Sequence, residues 1–131
     1  MLVRELMREE VICFEESTPL GDVLDRLVES RLHGAPVVDG EGRVSGVISQ
    51  QDVFFSGMTL DRDGETVALT AGEVMTSPPV IAAPDTTVVE LCKMMFELRL
   101  HRVPIVEGDE VIGIVSSLDV CNAVAQGADL K

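Results

Sequence analysis

Two short stretches hold the residues best suited to chemistry. GIVSSLDV, Gly113–Val120, sets Ser116 three positions before Asp119, directly after an apolar triplet. GVISQQDV, Gly46–Val53, repeats the arrangement with Ser49 and Asp52. A hydroxyl followed three positions later by an acid is a capping-box pattern. Each side chain there satisfies a free backbone N–H at a helix start. The same geometry suits a ligand. A helix start carries unpaired N–H groups and partial positive charge, which favour phosphate. A carboxylate only accepts, and it can take two hydrogen bonds at once, as from the adjacent hydroxyls of a ribose. Phosphate donors beside a diol acceptor describe a nucleotide site. Both readings stand at this point. Gly113, in the preceding strand, would admit close approach by a ligand or by another backbone.

A second element is LHRVP. His101 and Arg102 precede the strand residues Val103 and Pro104. Arginine suits phosphate because its planar fork binds two oxygens together. The other copy has His33 and Gly34, so it lacks the guanidinium. Two similar sites of unequal charge predict one stronger anion site and one weaker or empty site.

The elements that position these residues occur twice. Leu32–Val38 aligns with Leu100–Val106 at an offset of 68 positions. The same offset pairs Glu5 with Glu73, Met7 with Met75 and Thr18 with Thr86. One residue drops out in the turn DGEG against EGDE, after which Ser49 meets Ser116 and Asp52 meets Asp119. Internal repetition of this length marks duplicated structural units. We divide the chain into repeat 1 (1–55), a linker or insertion (56–70) and repeat 2 (71–131).

Each repeat carries the same signals in the same order. VICF (Val11–Phe14) and VIAA (Val80–Ala83) predict a strand. A helix follows, with Thr18 as N-cap and Pro19 at the first helical position. Leu20, Val23, Leu24, Leu27 and Val28, and their mates Val88, Leu91, Cys92, Met95 and Phe96, recur at helical spacing on one face. A hairpin comes next, its glycine-containing acidic turn set between β-branched runs. A second helix starts at Ser49 or Ser116. The order is β-α-β-β-α, twice, in an α+β fold.

The segment Ser56–Ala71 has no counterpart. Its Asp63-Gly64 suggests a small hairpin or an ordered loop. Its acidic cluster (Asp61, Asp63, Glu65) reads as a solvated turn, since Gly and the terminal Glu are misplaced for an EF-hand. Phe54, Phe55 and Met58 suit a core edge or a subunit contact.

Composition narrows the function. The chain has 131 residues, 46% of them apolar, which is enough for about one domain or two very small ones. Four Phe and no Trp or Tyr leave an aliphatic core. Small aliphatic units bury a modest share of their surface, which favours pairing of copies. A formal charge of −13 opposes binding to nucleic acid and to anionic membrane. A small anion is still admissible, because local donors outweigh screened distant charge. No stretch approaches the roughly 18 apolar residues of a membrane span, and the charged start MLVRELMREE does not resemble a signal peptide. A cytoplasmic protein is expected. Cys13, Cys92 and Cys121 lack metal-ligand spacing and read as small buried hydrophobes in a reducing compartment. The serines lack an adjacent base with an orienting group, which argues against an enzyme.

With RELM, HGAPVVDGEGRVSGVISQQDV, GEVMTSPPVI and HRVPIVEGDEVIGIVSSLDV in order, nearly the whole chain resembles a tandem pair of cystathionine-β-synthase (CBS) domains, a Bateman module. The resemblance implies two repeats packed sheet to sheet about a pseudo-twofold axis. It implies clefts between them for AMP, ADP, ATP or adenosylmethionine, with no required cofactor and no metal. It assigns ribose and phosphate contacts to Ser49 with Asp52 and Ser116 with Asp119, and phosphate contacts to His101 and Arg102. It lays adenine on Val80 and Val103 and their mates Ile12 and Ala35. It implies a disc-like homodimer that regulates a separate partner protein, since this chain has no room for an attached enzyme or channel. The alternative is a ligand-free structural or protein-interaction module, with the Ser-x-x-Asp pairs acting only as caps.

Overall fold

A computed structural model describes residues 1–57 and 69–131. Met58, the Asp63-Gly64 hairpin and the acidic turn of Asp61, Asp63 and Glu65 lie outside the described residues.

The chain forms two compact units. A central unit spans Ile12–Pro79, and a terminal unit joins Met1–Val11 to Val80–Lys131. These units are cut differently from the sequence repeats. The opening segment of each repeat packs with the body of the other. Backbone pairing accounts for this. Arg8 N–H donates to Ile114 O at 3.0 Å, and Ile114 N–H returns to Arg8 O at 3.1 Å. Thr76 and Val47 exchange the equivalent bonds at 2.9 and 3.1 Å in the central unit.

In the central unit, β1 (Phe14–Glu15) runs parallel to β2 (Gly34–Val38), which pairs antiparallel with β3 (Val44–Ser49). Helix α1 (Leu20–Glu29) buries Leu20, Val23 and Leu27, a spacing of three and four that places them on one face. They meet Val37 and Ile48 of the sheet. Helices α2 (Gln50–Gly57) and α3 (Ala71–Val74) complete the unit.

In the terminal unit, α4 (Val88–Leu98) lies against a hairpin of β4 (Arg102–Glu107) and β5 (Glu110–Ser116), followed by α5 (Ser117–Ala125). Leu91, Val103, Ile105 and Val115 form its core, with Val3 from the chain start.

The structure corrects two local expectations. The strand expected at Val11–Phe14 pairs only at Phe14–Glu15, and Val80–Ala83 contributes one parallel bridge, Ala82 to Ile105. Side-chain burial makes such runs apolar, yet their backbone meets a partner strand only briefly. Helix α1 starts one residue later than expected, with Pro19 as N-cap and no side-chain cap. The Leu20 amide is satisfied instead by Leu69 O at 3.1 Å. In repeat 2, Thr87 occupies the matching position and caps α4 with Glu90 as a full capping box.

Candidate functional site

The site is built where β5 turns into α5. Ser116 is the last strand residue and the N-cap, with extended backbone. Its Oγ accepts from Asp119 N–H at 3.2 Å, and Asp119 Oδ2 accepts from Ser116 N–H at 2.8 Å. The central unit repeats this: Ser49 Oγ accepts from Asp52 N–H at 3.1 Å, and Asp52 Oδ2 accepts from Ser49 N–H at 2.9 Å. Both capping boxes are therefore formed. Both acids turn back onto their own helix starts.

Capping leaves chemistry over. The box uses one oxygen of each carboxylate, and a carboxylate has about four lone-pair sites. Asp119 Oδ1 accepts from Arg8 Nε at 2.9 Å, while the acid itself is buried. A diol reaching Asp119 must share that oxygen with Arg8 or displace it. The helix start has less to offer an anion than expected. Ser117 N–H is bonded to His101 O at 2.8 Å, and Asp119 N–H is bonded to Ser116. Phosphate affinity there rests on side-chain cations.

Two such side chains, Arg8 and Arg102, belong to the terminal unit, with His101 next to Arg102 in the chain. Arg8 is exposed beside Asp119. Arg102, half-buried, opens β4 directly across from Ser116. His101 is exposed, and its carbonyl holds the first amide of α5. In the central unit the corresponding positions are Thr76, Gly34 and His33. His33 O likewise accepts from Gln50 N–H at 2.8 Å, and Gly34 pairs with Ser49. The backbone frames match, but the arginines stand in one unit only.

Arg8 escaped the sequence reading. It sits in repeat 1, 111 positions from Asp119, and no local signal joins the two. The glycine reading resolves in favour of backbone approach. A Cβ at Gly113 would stand 2.9 Å from Met7 Cγ and 3.1 Å from Arg8 O, and one at Gly46 would stand 2.9 Å from Thr76 O. The glycines let the opening segments dock.

The expected base platform divides. Val80 and Ile12 are half-buried. Val103 and Ala35 are 0% and 1% exposed and belong to the cores of their units. This corrects the expectation that adenine lies on their side chains, which are already enclosed by apolar neighbours. The cysteines also differ from expectation: Cys13 and Cys121 are exposed, and only Cys92 is partly covered. Among the described residues no three His, Cys, Asp or Glu side chains gather as a metal site. No helix there is long and apolar enough to cross a membrane.

The family model of the CBS domain matches residues 3–57 and 71–126. The chain is 26% identical to the chloroplastic CBS domain-containing protein CBSX2 of Arabidopsis thaliana, over 91% of this chain and 60% of that one. It is 23% identical to hypoxic response protein 1 of Mycobacterium tuberculosis, over 95% and 86%. It spans 40% of the Methanocaldococcus jannaschii protein MJ1225 and 91% of MJ1426 from the same organism. The crystal structure of CBSX2 in complex with AMP superposes with a TM-score of 0.82 at 25% identity, covering 95% of this chain and 96% of that one. The CBS domain pair of protein MJ0100, in complex with 5′-methylthioadenosine and S-adenosylmethionine, gives 0.84 at 22% identity, covering 98% of each.

Proposed function

The chain belongs to the CBS domain family, and we propose that it is a regulatory module that senses an adenosine-containing ligand (AMP, ADP, ATP or adenosylmethionine) and signals to a partner protein. The observation that carries this reading is the buried Asp119 held between Ser116 and Arg8, with Arg102 across the hairpin from Ser116. An acceptor for a ribose diol and cations for phosphate share one edge of the terminal unit. The AMP complex of CBSX2, a relative of the same fold, supports the ligand class. Val80 is the side chain of this unit left to meet a base. Ser49, Asp52 and Ile12 of the central unit form a second and weaker site, because Thr76 and Gly34 replace the arginines.

The module acts as a cytoplasmic homodimer without catalysis of its own. Exposed Phe54 and Phe55 on α2, and Phe96 and Leu118 on α4 and α5, are large apolar side chains that a second copy would cover. A ligand shifts such a module only by its affinity difference between conformations.

Calorimetric titration of the wild-type chain with AMP, ATP and adenosylmethionine tests the proposal. Saturable heats that Asp119→Ala abolishes support it. A flat response to all three overturns it. One observation favours a second reading, a ligand-free interaction module: both capping boxes are complete within the chain's own backbone. On that reading ligand panels stay flat, and pull-downs recover a protein partner.

A further inference from the structure

The outer helical face of the terminal unit holds two thiols that the sensing role does not use. Cys92 lies on α4 and Cys121 on α5. In the repeat alignment their mates are Leu24 on α1 and Phe54 on α2. Those two side chains, with Gln50, Gln51 and Phe55, line one hollow between α1 and α2 of the central unit. The fold thus brings these two positions together on the outside of a helix pair. In the terminal unit both are cysteines. Helix α4 packs against α5 there, and Cys121 is exposed while Cys92 is partly covered. A second observation agrees: burial, and then the charge of Cys121, pushes the Cys92 thiol up from its ordinary value. Each thiol lies within electrostatic reach of the other.

We propose that Cys92 and Cys121 are a dithiol pair that closes reversibly to an intramolecular disulfide, tying α4 to α5 on the outer face of the terminal unit. The oxidant is a low-molecular-weight disulfide. The exposed Cys121 thiolate attacks one of its sulfurs, expels the first small thiolate and forms a mixed disulfide. Cys92 gives its proton to water, attacks Cys121 Sγ and expels the second small thiolate. Two protein thiols and one small disulfide become one protein disulfide and two small thiols, so electrons and atoms balance. Exposure suits Cys121 to the first step. Partial cover suits Cys92 to the second, because it is less open to the small disulfide than Cys121 and lies on the helix packed against it.

The test is equilibration of the full wild-type chain in glutathione redox buffers, quenched with acid and read by mass spectrometry of non-reduced digests. The expected result is a Cys92–Cys121 bridge within monomeric chains. Its effective concentration should be roughly tenfold or more above that of the same pair in denaturant, where the fold no longer holds the thiols together. Cys13→Ser should leave the bridge intact, and Cys121→Ser should leave Cys92 unmodified at equal glutathione. A stable glutathione adduct on Cys121 with Cys92 still free, a bridge only between two copies, or pairing with Cys13 would each overturn the proposal.

Discussion

Arg8 Nε donates a hydrogen bond to Asp119 Oδ1 at 2.9 Å, joining the opening segment of the first repeat to the last helix of the second. The carboxylate is buried while the arginine side chain is 64% exposed. The pair therefore carries unequal roles. Asp119 organises the helix start, and Arg8 is an exposed cation held at its edge.

Replacing each partner separates these roles. Asp119→Ala removes a cap acceptor and should cost about 1 kcal/mol of stability. Arg8→Ala breaks an ion pair screened by water on one side and should cost at most about 1 kcal/mol. Urea titration of both variants checks the order. If Arg8 contacts ligand phosphate, Arg8→Ala should weaken AMP binding by roughly 10- to 100-fold, as expected for loss of a charge-assisted hydrogen bond. Equal AMP affinities for wild type and Arg8→Ala would remove Arg8 from the site.

The two docking glycines should resist any side chain. Gly113→Ala and Gly46→Ala each place a methyl against a methionine side chain and a carbonyl oxygen. Overpacking of this kind costs about 1–3 kcal/mol. Shortening the methionine, as in Met7→Ala with Gly113→Ala, should relieve only part of the clash, because Arg8 O remains 3.1 Å from the new carbon. Denaturation midpoints of the single and double variants measure this. A fully tolerated Gly113→Ala would mean that the opening segment docks elsewhere.

An arginine in the left-handed region closes each of α1 and α4: Arg31 at φ 55°, just after the C-cap Ser30 of α1, and Arg99 at φ 56°, the C-cap of α4. The residues after them, Leu32 and Leu100, return bonds of 2.9 Å to Leu27 O and Met95 O. Left-handed backbone costs a residue with a Cβ about 1 kcal/mol, and glycine escapes that cost. Arg99→Gly and Arg31→Gly should each raise stability by roughly 0.5–1 kcal/mol despite removing a long side chain. Thermal melts that fall instead would show that these side chains make up for the strain.

Asp39 gives the first hairpin a pH dependence. Its Oδ1 accepts from Glu41 N–H at 2.9 Å and Arg43 N–H at 3.0 Å. Those backbone donors, from Arg43 first and then Glu41, hold its carboxyl below the ordinary carboxylate range. A depressed acid stabilises the fold above its unfolded pKa, and that contribution fades as pH falls through the folded value. The melting difference between wild type and Asp39→Ala should therefore be constant near neutrality and shrink below about pH 4. A difference unchanged in acid would locate the effect in packing.

Much of this protein was legible before any coordinates. The pairing of Leu32–Val38 with Leu100–Val106, the helical stripe through Val23 and Leu27, the hairpins and the two Ser-x-x-Asp starts all rest on neighbours within a few positions. Local patterns encode local elements, because caps, turns and amphipathic faces answer to short-range chemistry. The family resemblance rests on the same repeated segments.

Tertiary structure decided how the copies share their parts. No periodicity announces that Arg8 will stand beside Asp119, or that Gly113 is kept bare for Met7 rather than for a ligand. Nor does a strand pattern say which apolar side chains are spent inside, as Val103 and Ala35 are, and which stay open, as Val80 does. Those outcomes depend on contacts between residues far apart in the chain. Such contacts form only when the two opening segments add their backbone to a distant sheet edge, Arg8 to Ile114 and Thr76 to Val47.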